Sequence, residues 1–246
     1  MRSGDAKRGG PYIDARKFPL HNATAEWNFA GMKAAIAKGA DVNQREAHGL
    51  TPLQVALMTT SEPYWHPYTE EVYHAVKLLL DAKADPRIPF APPTSERASP
   101  PLLWPAYDGR DDLVTMMLKA GADPNGKAKD GTTPLHQTAK CDFRLSWDPR
   151  AAATAEVLLA WGADLGARDA SGKTPFGLTP GYPKCEGKYS DESDCPKVCR
   201  VLRDGVPNAD KAAIKAGRKP DDASRKAPRC CGDADPNGLE FSQCCV

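Results

Sequence analysis

The stretch AGADPNGKAKDGTTPLH, residues 120–136, decides how this chain is read. It packs a Gly-Ala-Asp turn, a charged run and a Thr-Pro-Leu-His tetrapeptide into one phrase. The phrase recurs as KGADVNQREAHGLTPLQVAL at Lys38–Leu57 and as WGADLGARDASGKTPFGL at Trp161–Leu178. In all three copies the Gly precedes the Thr of Thr-Pro by twelve residues: Gly39 to Thr51, Gly121 to Thr133, Gly162 to Thr174. Thr is a favoured N-cap, and Pro suits the first helical position, where its missing N–H leaves no bond unmade. Gly after an apolar run supplies the left-handed residue that closes a helix. Each phrase therefore joins the end of one helix to the start of the next.

With that spacing as a ruler, weaker copies emerge at FPLHNATAEW (Phe18–Trp27) and PPLLWPAYDG (Pro100–Gly109). LLLDAKAD (Leu78–Asp85) ends a copy with Lys83 where Gly is usual. The unit resembles the ankyrin repeat, about 33 residues with a β-turn and two antiparallel helices, whose first helix opens on Thr-Pro-Leu-His. The resemblance covers roughly residues 14–205. It implies an all-α solenoid of about five helix-turn-helix repeats with β-turn connections. First helices are expected near 18–26, 51–59, 100–108, 133–141 and 174–181, and second helices near 28–38, 72–82, 110–120, 151–161 and 196–204. The fifth first helix is the poorest match, because Pro180 and Pro183 fall where it should continue. Residues 1–13 read as an extension, and 206–246 as a capping helix from Asn208 followed by a Cys-rich tail.

A net charge of +1 over 246 residues gives no strong field toward nucleic acid or an anionic membrane. No run approaches the ~18 apolar residues of a membrane span. A stack of repeats buries one thin core by neighbour contacts alone, which suits aromatics at 7%. A monomer is expected before any partner binds.

Three insertions lengthen the connection between first and second helices: Thr60–Glu70, the segment around Asp142–Arg150, and Gly181–Asp194. They share one point in the unit, so they are expected along one edge. They carry Tyr64, Trp65, His66, Tyr68, Phe143, Trp147, Tyr182 and Tyr189. Tyr and Trp on polar loops are typical interface anchors, and these eight are the candidate partner-binding residues. The alternative is that the loops pack on one another and stiffen the edge. The interface would then lie on the helices or on the turn tips at Arg45–Gly49, Lys127–Gly131 and Arg168–Gly172. A further insertion, RIPFAPPTSERASP at Arg87–Pro100, sits on the turn side, and its prolines suggest a semi-rigid flap.

Cys185, Cys195, Cys199, Cys230, Cys231, Cys244 and Cys245 crowd the C-terminal quarter, with Cys141 apart. An even, dense set reads as a disulfide framework and so as an oxidising compartment, periplasmic or secreted. The tail after Gly217 is poor in aliphatics, and cross-links would hold it to the last repeat. Connectivity stays open. Zinc is a weaker reading, because Cys195 and Cys199 fit only as C-x3-C and the vicinal pairs fit poorly; reduced thiols are the third. The opening MRSGDAKRGGPYIDARK holds no apolar signal stretch. The expectation is a mature form with Met1 added; a native Met1 would return the chain to the cytosol.

No Gly-rich phosphate loop, G-x-S-x-G elbow or H-E-x-x-H occurs. His136 and Cys141 lie at i and i+5, which do not share a helix face. No cofactor or metal is expected, and no catalysis. In the ankyrin resemblance the signature histidines, here His21 and His136, bond to backbone of the neighbouring repeat. The resemblance further implies a protein-binding scaffold. With its clustered cysteines the chain is similar to bacterial periplasmic immunity proteins that block a toxic effector, such as a phospholipase delivered by type VI secretion. Two competitors remain: a periplasmic ankyrin protein that protects an enzyme from oxidants, and an exported effector that binds host proteins.

Overall fold

A computed structural model describes residues 14, 16–58, 70–90, 98–139, 149–179, 197–206 and 208–216. The chain forms two compact units, one of residues 1–105 and 112–129, the other of residues 106–111 and 130–246. Among the described residues the elements are α-helices and one 3₁₀ turn, and the one β-bridge pairs Phe90 with Ser99.

In the first unit the helices come in pairs: α1 (Pro19–Ala25) with α2 (Phe29–Ala37), and α3 (Pro52–Met58) with α4 (Glu70–Asp81). Helix α1 also packs on α3, so adjacent pairs stack. Helix α5 (Leu103–Tyr107) is short, because Pro101 and Pro105 remove two donors, and it precedes α6 (Asp111–Lys119). Asn28 opens α2 by accepting the Gly31 N–H on its Oδ1 at 2.9 Å. Leu20, Met32, Leu53, Leu57, Val76, Leu79, Leu102 and Met117 are sealed from solvent and form this unit's core.

The second unit holds α7 (Pro134–Ala139), α8 (Pro149–Ala160), α9 (Lys197–Asp204) and α10 (Asn208–Lys215). Helix α8 is the hub, touching α7, α9 and α10. It can serve three neighbours because Ala151, Ala152, Ala153 and Ala155 present little bulk and are all buried. Leu135, Leu158, Val198, Leu202 and Ile214 complete the core. Thr174-Pro175 opens no α-helix: a single 3₁₀ turn, Phe176–Leu178, stands where a helix over 174–181 is expected. Gly177 follows at once and Pro180 cannot donate, so the turn stops at Thr179, whose hydroxyl caps the Phe176 carbonyl at 2.8 Å.

The second helices of the first four copies end alike. Ala40 N–H donates to Ala35 O and Gly39 N–H to Ile36 O; the same pair of bonds recurs at Ala84 and Lys83, at Ala122 and Gly121, and at Ala163 and Gly162. This double closure needs a left-handed residue at its centre. The three glycines supply it with φ of 84°, 96° and 93°, and Lys83 adopts φ 70° despite its side chain. A left-handed non-glycine residue is penalised by about 1–2 kcal/mol, part of which glycine returns as chain entropy. Lys83→Gly is therefore expected to raise unfolding stability by about 0.5–1 kcal/mol, read from the urea midpoint at unchanged slope.

Candidate functional site

The feature that recurs most regularly is the turn tip between helix pairs, found in each unit. At the first tip Glu46 is buried, and its carboxylate accepts the N–H groups of His48 at 2.8 Å and Leu50 at 3.1 Å. The His48 ring lies on the same oxygen at 2.8 Å. Burial opposes ionisation of Glu46, yet these donors outweigh it and hold the carboxyl below its ordinary range. Asp169 repeats the device at the last tip, accepting from the Ser171 hydroxyl at 2.7 Å and from the N–H groups of Lys173 and Ser171 at 2.9 Å. Those bonds, the Ser171 hydroxyl foremost, depress its carboxyl too. Arg45 and Arg168, one residue before each acid, brace the tip from the other side by donating to the carbonyls of Gly49 and Gly172. Arg45 also reaches Pro89 O at 2.8 Å. At the middle tip, Asp130 stands two positions later in the phrase, takes the Thr132 N–H at 3.0 Å, and its own carbonyl accepts Ala170 N–H at 2.8 Å.

Behind the tips, the fourth residue of the first-helix phrase ties one repeat to the next in three copies, at His21, Gln54 and His136. His136 is fully buried, and its Nε2 lies 3.0 Å from Lys173 O. A carbonyl only accepts, so Nε2 carries the proton and Nδ1 accepts from Thr133, whose hydroxyl is at 2.8 Å and N–H at 3.3 Å. Gln54 reproduces this with an amide: its Nε2 donates to Ile88 O at 2.7 Å, and its Oε1 accepts Thr51 N–H at 3.0 Å. His21 makes the outward bond, Nε2 to Leu50 O at 3.0 Å. Phe18 stands where the others have Thr, so Nδ1 of His21 is buried without a hydrogen-bond partner. Burial pushes the His21 ring below its ordinary value of 6.5.

The eight loop aromatics Tyr64, Trp65, His66, Tyr68, Phe143, Trp147, Tyr182 and Tyr189 lie outside the described residues, as do Cys141, Cys185, Cys195, Cys230, Cys231, Cys244 and Cys245. Cys199 is described: it faces inward on α9 at 0% exposure, among Val198, Val201 and Leu202. A bridge from it would run to a cysteine beyond the described residues. The base of the 87–100 insertion is pinned, with Phe90 N–H donating to Ser99 O at 2.9 Å and the Phe90 ring against Trp104 at 5.6 Å. Among the described residues no three His, Cys, Asp or Glu side chains gather as a metal site, and no helix is long and apolar enough to cross a membrane. Reading by the His of Thr-Pro-Leu-His passed over Gln54, which its register three residues after Thr51 would have revealed. It also passed over Arg45 and Arg168, which share one position six residues after the phrase glycine.

No protein-family profile matches the chain. Among curated proteins, a putative ankyrin repeat protein of Rickettsia felis is 37% identical over 66 residues. The match spans 27% of this chain and 28% of that relative, so little more than a quarter of the relative's length is covered.

Two outcomes are expected. Thr133→Val removes the hydroxyl that meets Nδ1 of His136 at 2.8 Å, leaving only the longer backbone N–H, and removes the helix cap, lowering stability by about 1–2 kcal/mol in urea titrations. For His21 the folded ring titrates lower than the unfolded one, so the unfolded chain binds more protons in that window. Its contribution is intact above pH 6.5 and is lost as pH falls from there toward the folded value. His21→Gln removes that part of the acid sensitivity, measured as the slope of stability against pH.

Proposed function

We propose that this chain, whose repeats are of the ankyrin type, is a non-catalytic protein-binding module. The proposed task is to capture and neutralise a protein partner such as a secreted toxic effector, for example a phospholipase. The observation that carries the binding part is the construction of the turn tips. Glu46, Asp169, Arg45 and Arg168 direct their charged groups onto the backbone of their own turns, which stiffens each tip. The buried His21 and His136 are likewise engaged with backbone between repeats. Charged groups arranged in this way hold a surface in shape for recognition, and a rigid surface binds with little ordering entropy to overcome.

The reading extends to the inserted loops, whose Trp and Tyr residues would be the anchors, and to export into the periplasm or beyond, which the density of cysteines after residue 184 favours. Intact-mass measurement without reductant tests export by the loss of one hydrogen pair per bridge. For the anchors, the chain is used as bait in extracts of its native organism, and the captured protein is then titrated against Trp65→Ala and Trp147→Ala. Each substitution is expected to weaken binding by about 2 kcal/mol or more with melting unchanged. Lower melting with affinity intact would return the loops to a packing role, and a bait that captures nothing would overturn the binding reading.

A further inference from the structure

Helices α2 and α4 hold the same place in successive repeats and expose different chemistry. On α4 the exposed side chains are Glu70, Glu71, His74, Lys77 and Asp81. On α2 they are Ala30, Lys33, Ala34 and Ala37. The α2 sequence FAGMKAAIA carries one charge in its nine residues and is apolar round most of its circumference. That pattern belongs to a helix covered on more than one side. Its main partner among the described elements is α1.

Between these two helices runs a groove of about 450 Å³. On α1 it follows the stripe of Pro19, Ala23 and Glu26, whereas Phe18 and Ala25 meet Val55 of α3 on a different stripe. The floor is small and apolar, formed by Ala23, Gly31, Ala34 and Ala35. The short corner Glu26–Asn28 joins the helices, so Glu26 marks one end of the groove and Pro19 with Lys38 the other. Lys33, the one charge of α2, is not part of the lining. In a stack, a face of this kind is covered by the preceding unit or by a cap.

The residues leading into α1 supply a cover of matching length and chemistry. Residues 1–13 lie outside the described residues, and their one apolar run is Pro11-Tyr12-Ile13, with Arg8 shortly before it. Asp14 O accepts the N–H groups of Lys17 at 3.1 Å and Phe18 at 2.8 Å, which pins the chain at the Pro19 end of the groove. From there residues 8–13 can extend over about 20 Å, whereas the seven residues of α1 rise only about 10 Å. Tyr12 and Ile13 thus reach the alanine floor, and Arg8 reaches the exposed Glu26 at the far end. A segment on so short a tether acts at an effective concentration on the order of millimolar, which favours it over a second copy.

We propose that the residues before α1 fold back into this groove as an intramolecular strap, with Tyr12 and Ile13 on Ala34 and Ala35 and Arg8 at Glu26. The strap covers the open face of the first repeat and keeps it from joining another chain. It makes no use of the turn tips and stands apart from the binding proposal above.

The test is tryptic cleavage after Arg8 in the full chain, with rates read by mass spectrometry against a free peptide of residues 1–14. Cleavage in the chain is expected to be at least about tenfold slower, because a docked segment is cut only in its released fraction. Ala34→Arg, at an exposed position within the groove, should return cleavage to the peptide rate, and so should Tyr12→Ser combined with Ile13→Ser. Ala37→Arg, exposed on the same helix but outside the lining, should leave cleavage slow, and melting curves of both arginine variants should match the parent. Sedimentation of the parent should give a monomer. Cleavage of the parent at the peptide rate, protection that survives Ala34→Arg, or equal loss with Ala37→Arg would each overturn the proposal. Protection that grows with concentration as a dimer forms would also overturn it, by giving the groove to a second copy.

Discussion

A hydrogen bond from one side chain to a carbonyl of the following repeat is the constraint on which the other features depend. It is made by His21 to Leu50, by Gln54 to Ile88 and by His136 to Lys173, over 29, 34 and 37 residues of sequence. The donor must be buried to exclude water and must sit on the first turn of its helix to reach outward. Its other polar atom then requires a partner beside the helix start, which Thr51 and Thr133 provide. The Thr-Pro opening, the helix start and the contact between repeats are thus one arrangement, and a change in one member strips hydrogen bonds from the others. His21 shows the result: Phe18 stands in the Thr position, the two rings meet edge to face at 5.5 Å, and Nδ1 has no hydrogen-bond partner.

The twelve-residue spacing made most of the helix pairing legible in the sequence, because Gly and Thr-Pro each fix a backbone conformation that few other residues satisfy. The same reading failed to secure a helix over 174–181, where Thr174-Pro175 is intact but Gly177 and Pro180 prevent propagation. A start signal commits the chain to one turn only; hydrogen bonding over the following residues decides whether a helix grows. Gln54 was hidden for a different reason. An amide and an imidazole share no sequence likeness, but both place a donor and an acceptor on opposite ends of a short planar group. The acid of the tip was hidden because it moves along the phrase, from Glu46 and Asp169 to Asp130, while continuing to accept turn N–H groups.

The contact between the Phe29 and His74 rings was not legible in the sequence. Reading inserted loops for Tyr and Trp attends to segments that break the repeat. Phe29 and His74 belong to the repeat itself, one on α2 and the other on α4, and their rings meet edge to face only in the folded chain. Spacing along one helix cannot reveal a pair contributed by two helices more than forty positions apart.

The pinned base of the 87–100 insertion carries a consequence for how such a chain changes length over evolutionary time. Phe90 N–H occupies the Ser99 carbonyl, the Phe90 ring is anchored on Trp104, and Gln54 takes its carbonyl from Ile88, before the detour begins. These contacts between neighbouring repeats are made by residues on either side of the detour. Lengthening a loop whose ends are fixed is penalised by only about 0.6 kcal/mol per doubling. Residues can be gained or lost between Phe90 and Ser99 without rephasing the helices on either side, so this point is open to insertions that recruit new binding partners.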